Sequence, residues 1–229
     1  MVEAAASDPL PTNPGTFSPR AGTIMNEPRA GEFYIINPDF DVPPHEVEFS
    51  NKEALRPPGG GIIRPWTGGF PGFSEMPVMT DLAPEGSLHD FQVAFEGYWL
   101  VSERLKSVFE AIDPGGFLFV QCELVCFDGS TGPSFYLCDV CRILDAVDED
   151  ASEVKVLTEG FPEGKFYRLA GGVRLAFRKD VVNGAHVFRS PFNDDLIVCD
   201  RAMRDALIEQ GFGVFGGDSG MTLDDAADY

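Results

Sequence analysis

Residues 211–220, GFGVFGGDSG, overlay two patterns that could do chemistry. Gly217-Asp218-Ser219-Gly220 is a setting for a nucleophilic serine, which requires a base oriented by a third group and fixed oxyanion donors. Gly211, Gly213 and Gly216 fit G-x-G-x-x-G, a loop that must leave a strand and open a helix so that the helix N-terminus faces a pyrophosphate. Neither context is met. The glycines follow a helical pattern, Arg201–Gln210, and run into the acidic stretch MTLDDAADY. The candidate bases are His45, His89 and His186, and none stands in a recognisable partner motif. The stretch reads instead as a helix cap at Gly211, a short strand or hydrophobic staple over 212–215, and a tail.

Four of the five cysteines, Cys122, Cys126, Cys138 and Cys141, form C-x3-C and C-x2-C pairs that could hold zinc. They lie inside patterned strands rather than on tight knuckles, and Cys138 and Cys141 at strand spacing point to opposite faces. With Cys199 they read as free apolar thiols in a reducing compartment, although one strand register would bring Cys126 and Cys138 into disulfide reach. Asp39 and Asp41 in NPDFDVPP, and Asp194 and Asp195 in FNDDLIVCD, could bind a divalent ion or act as acid and base. Joined by His186, the second pair would make a metal-dependent hydrolase. Asn-Asp-Asp before a strand is better explained by side chains bonding nearby backbone, and His186 alternates with Val187 and Phe188 as on a sheet face. No catalytic residue, metal or cofactor is expected.

Positioning any of these groups needs a core, and 229 residues with 44% hydrophobic side chains can fill one. Ser102 is placed to cap a helix whose Leu105, Val108, Phe109 and Ile112 recur at helical spacing until Asp113-Pro114-Gly115 stops it. In FLFVQCELVCF, Leu118, Val120, Cys122, Leu124 and Cys126 share one face of a strand, with Gln121 and Glu123 opposite. The turn DGSTGPS then leads into FYLCDVCRILDAV as a hairpin. Further strands are predicted at Glu32–Asn37, Val154–Leu157, Lys165–Leu169, Val173–Phe177, Ala185–Arg189 and Leu196–Cys199, with a second helix capped by Asp200. The class is α+β: a mostly antiparallel sheet, two or three flanking helices and long Pro/Gly-rich loops. Residues 1–30 read as a flexible leader, 31–216 as a single domain whose part up to residue 84 is irregular, and 217–229 as an acidic flexible tail.

Seventeen Lys and Arg against 37 Asp and Glu give a net charge of −20, which repels nucleic-acid phosphates and anionic lipid and attracts a basic protein. No apolar run approaches the roughly 20 residues that span a bilayer, and the N-terminus lacks a secretory pattern, so a cytoplasmic location is expected. Asp145, Asp148, Glu149, Asp150 and Glu153 crowd DAVDEDASEV without one base, as on an exposed connection that could dock Arg and Lys of a partner. RPPGGGIIRPWTGGFPGF carries Trp66, Phe70 and Phe73, too apolar for a linker and suited to serve as docking anchors.

YWLVSERLKSVFEAIDPGG, YLCDVCRILDAVDED and VRLAFRKDVVNGAHVFRSPFNDDLIVCDRAMRDALIEQGFGVF resemble a polymorphic-toxin immunity family, first described as a domain of unknown function and typified by a myxobacterial immunity protein. The similarity covers about residues 85–216, with Glu32–Asn37 as its beginning. The resemblance implies a protein that binds and occludes a cognate toxin, in the cytoplasm, with no chemistry of its own; it carries over no catalytic residue. Charge points to a basic toxin such as a nuclease. A metal-dependent hydrolase using Asp194, Asp195 and His186, or an adaptor for a non-toxic partner, are the alternatives, and oligomeric state is left open.

Overall fold

The computed structural model describes residues 27–42, 46–53, 64–65, 67–83, 88–94, 97–214 and 216–229. After strand β1 (Phe33–Pro38) the chain builds β2 (Val47–Phe49), β3 (Val78–Asp81), β4 (Phe91–Val93) and β5 (Trp99–Ser102). Helix α1 (Glu103–Ile112) leads into the hairpin β6 (Phe117–Val125) and β7 (Phe135–Val140). A small hairpin, β8 (Lys155–Leu157) and β9 (Phe166–Arg168), and the one-turn helix α2 (Lys179–Val182) follow. The chain closes with β10 (Val187–Ser190), β11 (Asn193–Asp200), α3 (Arg201–Glu209) and β12 (Met221–Asp225). One sheet has the order β10-β11-β1-β12 and the other β2-β3-β6-β7-β5-β4, with β8-β9 apart. Every pairing is antiparallel except β3 with β6, so the class is α+β, with three helices among the described residues. No helix among them is long and apolar enough to cross a membrane.

Strand alternation explains why the two sheets stack. In β11, Ile197 and Cys199 face the space between the sheets while Leu196 and Val198 face outward, and in β1 Ile36 and Ile35 divide the same way. In β5, Trp99 and Val101 face inward while Leu100 packs outward; in β7, Cys138 and Val140 oppose Leu137. Each sheet therefore buries both faces, and three apolar layers result: one between the sheets and one on each outer face. The central layer holds both longer helices, with the Phe109 and Phe117 rings stacked at 4.3 Å. The caps are local: Ser102 Oγ accepts the Leu105 N–H at 3.2 Å and Asp200 Oδ1 accepts the Met203 N–H at 2.9 Å. Each cap satisfies a helix-start donor and contributes about 1 kcal/mol.

Several expectations change. The stretch expected as a flexible acidic tail includes β12, which pairs with β1 from Tyr34↔Asp225 to Pro38↔Met221. Its acids are bonded: Asp224 accepts from Asn37 Nδ2 at 2.9 Å and Asp225 accepts the Gly31 N–H at 2.6 Å. Phe212 is no strand residue but a fully buried plug in the central layer. Residues 173–177 form isolated bridges, Glu153↔Arg174 and Val147↔Phe177, in place of a ladder. Cys138 lies opposite Phe119 and Cys122 opposite Phe135, a register that keeps Cys126 from Cys138. In β6 the alternation serves two layers: Phe117 and Phe119 pack inward, Cys122 and Leu124 outward, and Leu118 is exposed.

At the end of α1, the buried Asp113 carboxylate binds the Arg142 guanidinium through both oxygens and accepts the backbone N–H groups of His186 at 3.0 Å and Val187 at 3.3 Å. Burial alone would raise this carboxyl, but Arg142 and the two amides outweigh it and hold it below the ordinary carboxylate range. Because the folded chain releases this proton more readily than the unfolded one, the contribution is complete above the unfolded value near 3.8 and fades as pH falls below it. Asp113→Asn should cost about 2–4 kcal/mol in urea unfolding at neutral pH. It should also flatten the acid side of the stability profile below pH ~4. A variant with wild-type stability at pH 7 would contradict this role.

Candidate functional site

The acidic stretch Asp145–Glu153 does not hang free. Ala146 and Val147 are buried in the layer outside the four-stranded sheet, and the backbone is stitched to residues 174–177 by Asp148 N–H to Ala176 O at 2.9 Å and Glu153 N–H to Arg174 O at 2.8 Å. Its carboxylates meet bases from later in the chain. Asp145 faces Arg178 at 3.3 Å and Lys165 at 4.0 Å, Glu153 faces Arg174 at 3.0 Å, and Glu149 accepts from Lys165 and from the Tyr167 hydroxyl at 2.7 Å. Hydrogen bonds from Lys165 and Tyr167 hold the Glu149 carboxyl below its usual range. Asp150 is exposed, with no ion pair among the described residues.

Phe70 and Phe73 lie on another layer. Both are half-buried outside the six-stranded sheet, where Phe70 stacks on Tyr98 at 4.8 Å and Phe73 packs beside it at 5.9 Å. The fold thus separates the acidic stretch from these rings by two sheets and the central core. Trp66 lies outside the described residues. A buried clasp holds this loop: Asp139, with no exposed side-chain surface, accepts from Arg64 Nε at 2.7 Å and from the Gly69 N–H, and the Tyr98 hydroxyl donates to Gly69 O at 2.8 Å.

The residues with catalytic potential are kept apart or used structurally. The β10–β11 register sets His186 beside Asp200, and His186 Nδ1 lies 2.8 Å from Asp200 Oδ2. Asp195 is five residues further along β11, about 16 Å at strand rise. Asp194 is paired with Arg189, and Asp195 N–H donates to Asn193 Oδ1 at 2.9 Å, the turn chemistry expected of Asn-Asp-Asp. Asp41 N–H likewise donates to Asp39 Oδ1 at 3.0 Å. Among the described residues no three His, Cys, Asp or Glu side chains converge as metal ligands. Ser219 is buried, its hydroxyl accepting the Gly213 N–H at 3.2 Å, and Gly220 passes so close to the Phe91 carbonyl that any side chain there would collide with it. His89 Nδ1 lies 2.9 Å from the Asp218 carbonyl oxygen, and His45 is outside the described residues.

Sequence reasoning missed a large concavity among the described residues. Where the two sheets part, a cleft of about 1090 Å³ opens from the central layer, with Ile36, Phe91, Trp99 and Ile197 on its floor. Phe40, 89% exposed, and Val93, 53% exposed, stand at its rim. Asp39, Glu46 and Asp195 also border it. Its walls come from β1, β4, β9 and β11, segments distant in sequence, and only the isolated apolar residues Phe40 and Val93 hint at it.

The family profile described as Immunity protein family (Imm11) matches residues 32–228, taking in β1 and β12 as well as the central region. No curated protein matches the chain.

The five thiols are free. Burial pushes Cys122 up to about 12 and drives Cys199 and Cys138 far above the ordinary thiol value, with the Asp139 charge adding to the rise at Cys138; burial, then Asp139, also raises the half-buried Cys141. Reactivity needs thiolate and access. An alkylating reagent at about pH 8 should therefore reach at most Cys126 and Cys141 in the native protein, with Cys122, Cys138 and Cys199 labelled only after unfolding. Mass spectrometry of the labelled peptides decides this, and native labelling at any of the last three would contradict it.

Proposed function

Since the chain belongs to the Imm11 immunity protein family, we propose that it neutralises a cognate bacterial toxin by binding it one to one and covering the surface the toxin needs. The match over residues 32–228 is the observation that carries this reading. The protein acts as an inhibitor without catalysis of its own, in the cytoplasm, against a toxin that works there. A charge of −20 favours a basic partner, and a nuclease is basic because its substrate is a polyanion.

Long-range attraction and short-range contact need not come from the same residues. Paired carboxylates still belong to a net-negative surface, and electrostatic steering acts over about the Debye length, roughly 8 Å at physiological salt. The stretch Asp145, Asp148, Glu149, Asp150 and Glu153 is proposed to steer the basic partner, where charge sets the association rate more than the lifetime. Phe70 and Phe73, each half-buried on the other layer, form a proposed secondary apolar contact, and Trp66, outside the described residues, is proposed to contribute to it.

Co-expression with the product of the adjacent toxin gene should restore growth and yield a co-purified one-to-one complex. Raising salt from about 0.05 to about 0.5 M should slow association roughly tenfold or more, with a smaller change in dissociation. A salt-insensitive association rate removes the electrostatic part of the proposal. Rescue without any complex removes occlusion itself.

A further inference from the structure

The geometry points to the cleft between the two sheets as the seat of a basic loop of the partner toxin, one that presents an apolar side chain between flanking Lys or Arg residues; this rests on the immunity reading. Two independent features define that occupant. The floor, Ile36, Phe91, Trp99 and Ile197, is the central core itself, and the rim leaves Phe40 and Val93 open to solvent, so an apolar insert extends an existing packed layer. Exposed apolar groups around a concavity mark interaction sites rather than ordinary surface.

Charge supplies the second feature. Asp194 is already paired with Arg189, whereas Asp39, Glu46 and Asp195 have no ion pair among the described residues. The same balance differs from the acidic stretch, where Arg174, Arg178 and Lys165 take up three of the carboxylates. Lys or Arg flanking the insert would find open carboxylates at this rim.

Phe40→Asp and Val93→Asp test this with the full chain and an inactivated form of the toxin encoded beside it. Both positions are exposed, so thermal unfolding should stay at the wild-type midpoint, and Kd should rise roughly tenfold or more through faster dissociation, as for loss of a central anchor. Asp195→Lys should weaken binding chiefly through slower association. Hydrogen exchange should show new protection at residues 39–42 and 91–93 in the complex. If wild-type protein binds the toxin and both apolar variants bind it equally well, the cleft is not the seat while the immunity reading stands. If wild-type protein does not bind the toxin, both fall. A non-peptide molecule retained in the cleft and displaced by neither toxin nor mutation, seen by native mass spectrometry, also overturns the assignment.

Discussion

Each sheet buries both faces, so polar groups between the layers must satisfy one another, and the Asp113 carboxylate is where that requirement ties the two sheets together. It ends the helix that follows β5, draws in Arg142 from beyond β7, and receives the amides of His186 and Val187 where β10 begins in the other sheet. Arg142 closes the loop by donating to the Val187 carbonyl at 2.9 Å. Gly116 shows how tight the junction is: a Cβ there would collide with the Val187 side chain and lie 3.2 Å from Arg142 Nη1. An isolated buried carboxylate would be strongly unfavourable, whereas one with a guanidinium and two amides fixes register between elements distant in sequence. The Asp139–Arg64 clasp repeats the device on the outer face of the six-stranded sheet. Together they explain how a chain rich in acids can form so apolar an interior.

What was legible in the sequence was local. Ser102 and Asp200 could be read as caps because a cap is a contact within three residues, and the β6–β7 hairpin because alternation and a turn lie side by side. Sheet membership was not. β1 reads as a strand, yet nothing near it says that its neighbours are β11 and β12, almost the whole chain away. MTLDD looked like a tail because two acids in a short stretch argue against burial; their partners, Asn37 and the Gly31 amide, lie nearly two hundred residues earlier. The parallel β3–β6 pair and the short strands β2 and β4 escaped for the same reason: three or four residues hold too little pattern to read.

The same distinction governs the charged surface. In sequence, Asp145–Glu153 is an acidic run with no base, and a docking role follows naturally. In the fold, its neutralising partners arrive from Lys165, just before β9, and from Arg174 and Arg178, so the run is a surface of ion pairs whose attraction for a second protein is diluted. Exposed pairs of this kind contribute little to stability, about 0–1 kcal/mol each. Their effect is on where uncompensated charge is left. That charge persists at Asp39, Glu46 and Asp195, residues from three segments that no local reading would group.

An open core edge has an energetic consequence. At Phe212 the central layer is sealed: this side chain is wholly buried, with the Arg104 guanidinium 4.6 Å above its ring. At the cleft the same layer reaches water through Phe40 and Val93. Burying one such phenyl side chain is worth about 1.5–3 kcal/mol, stabilisation that the isolated chain forgoes and a bound partner can recover. Most apolar surface on a folded protein is scattered and means nothing, but here it adjoins a concavity and unpaired acids. That suits the proposed occlusion of a toxin, whose protection depends on a long-lived complex.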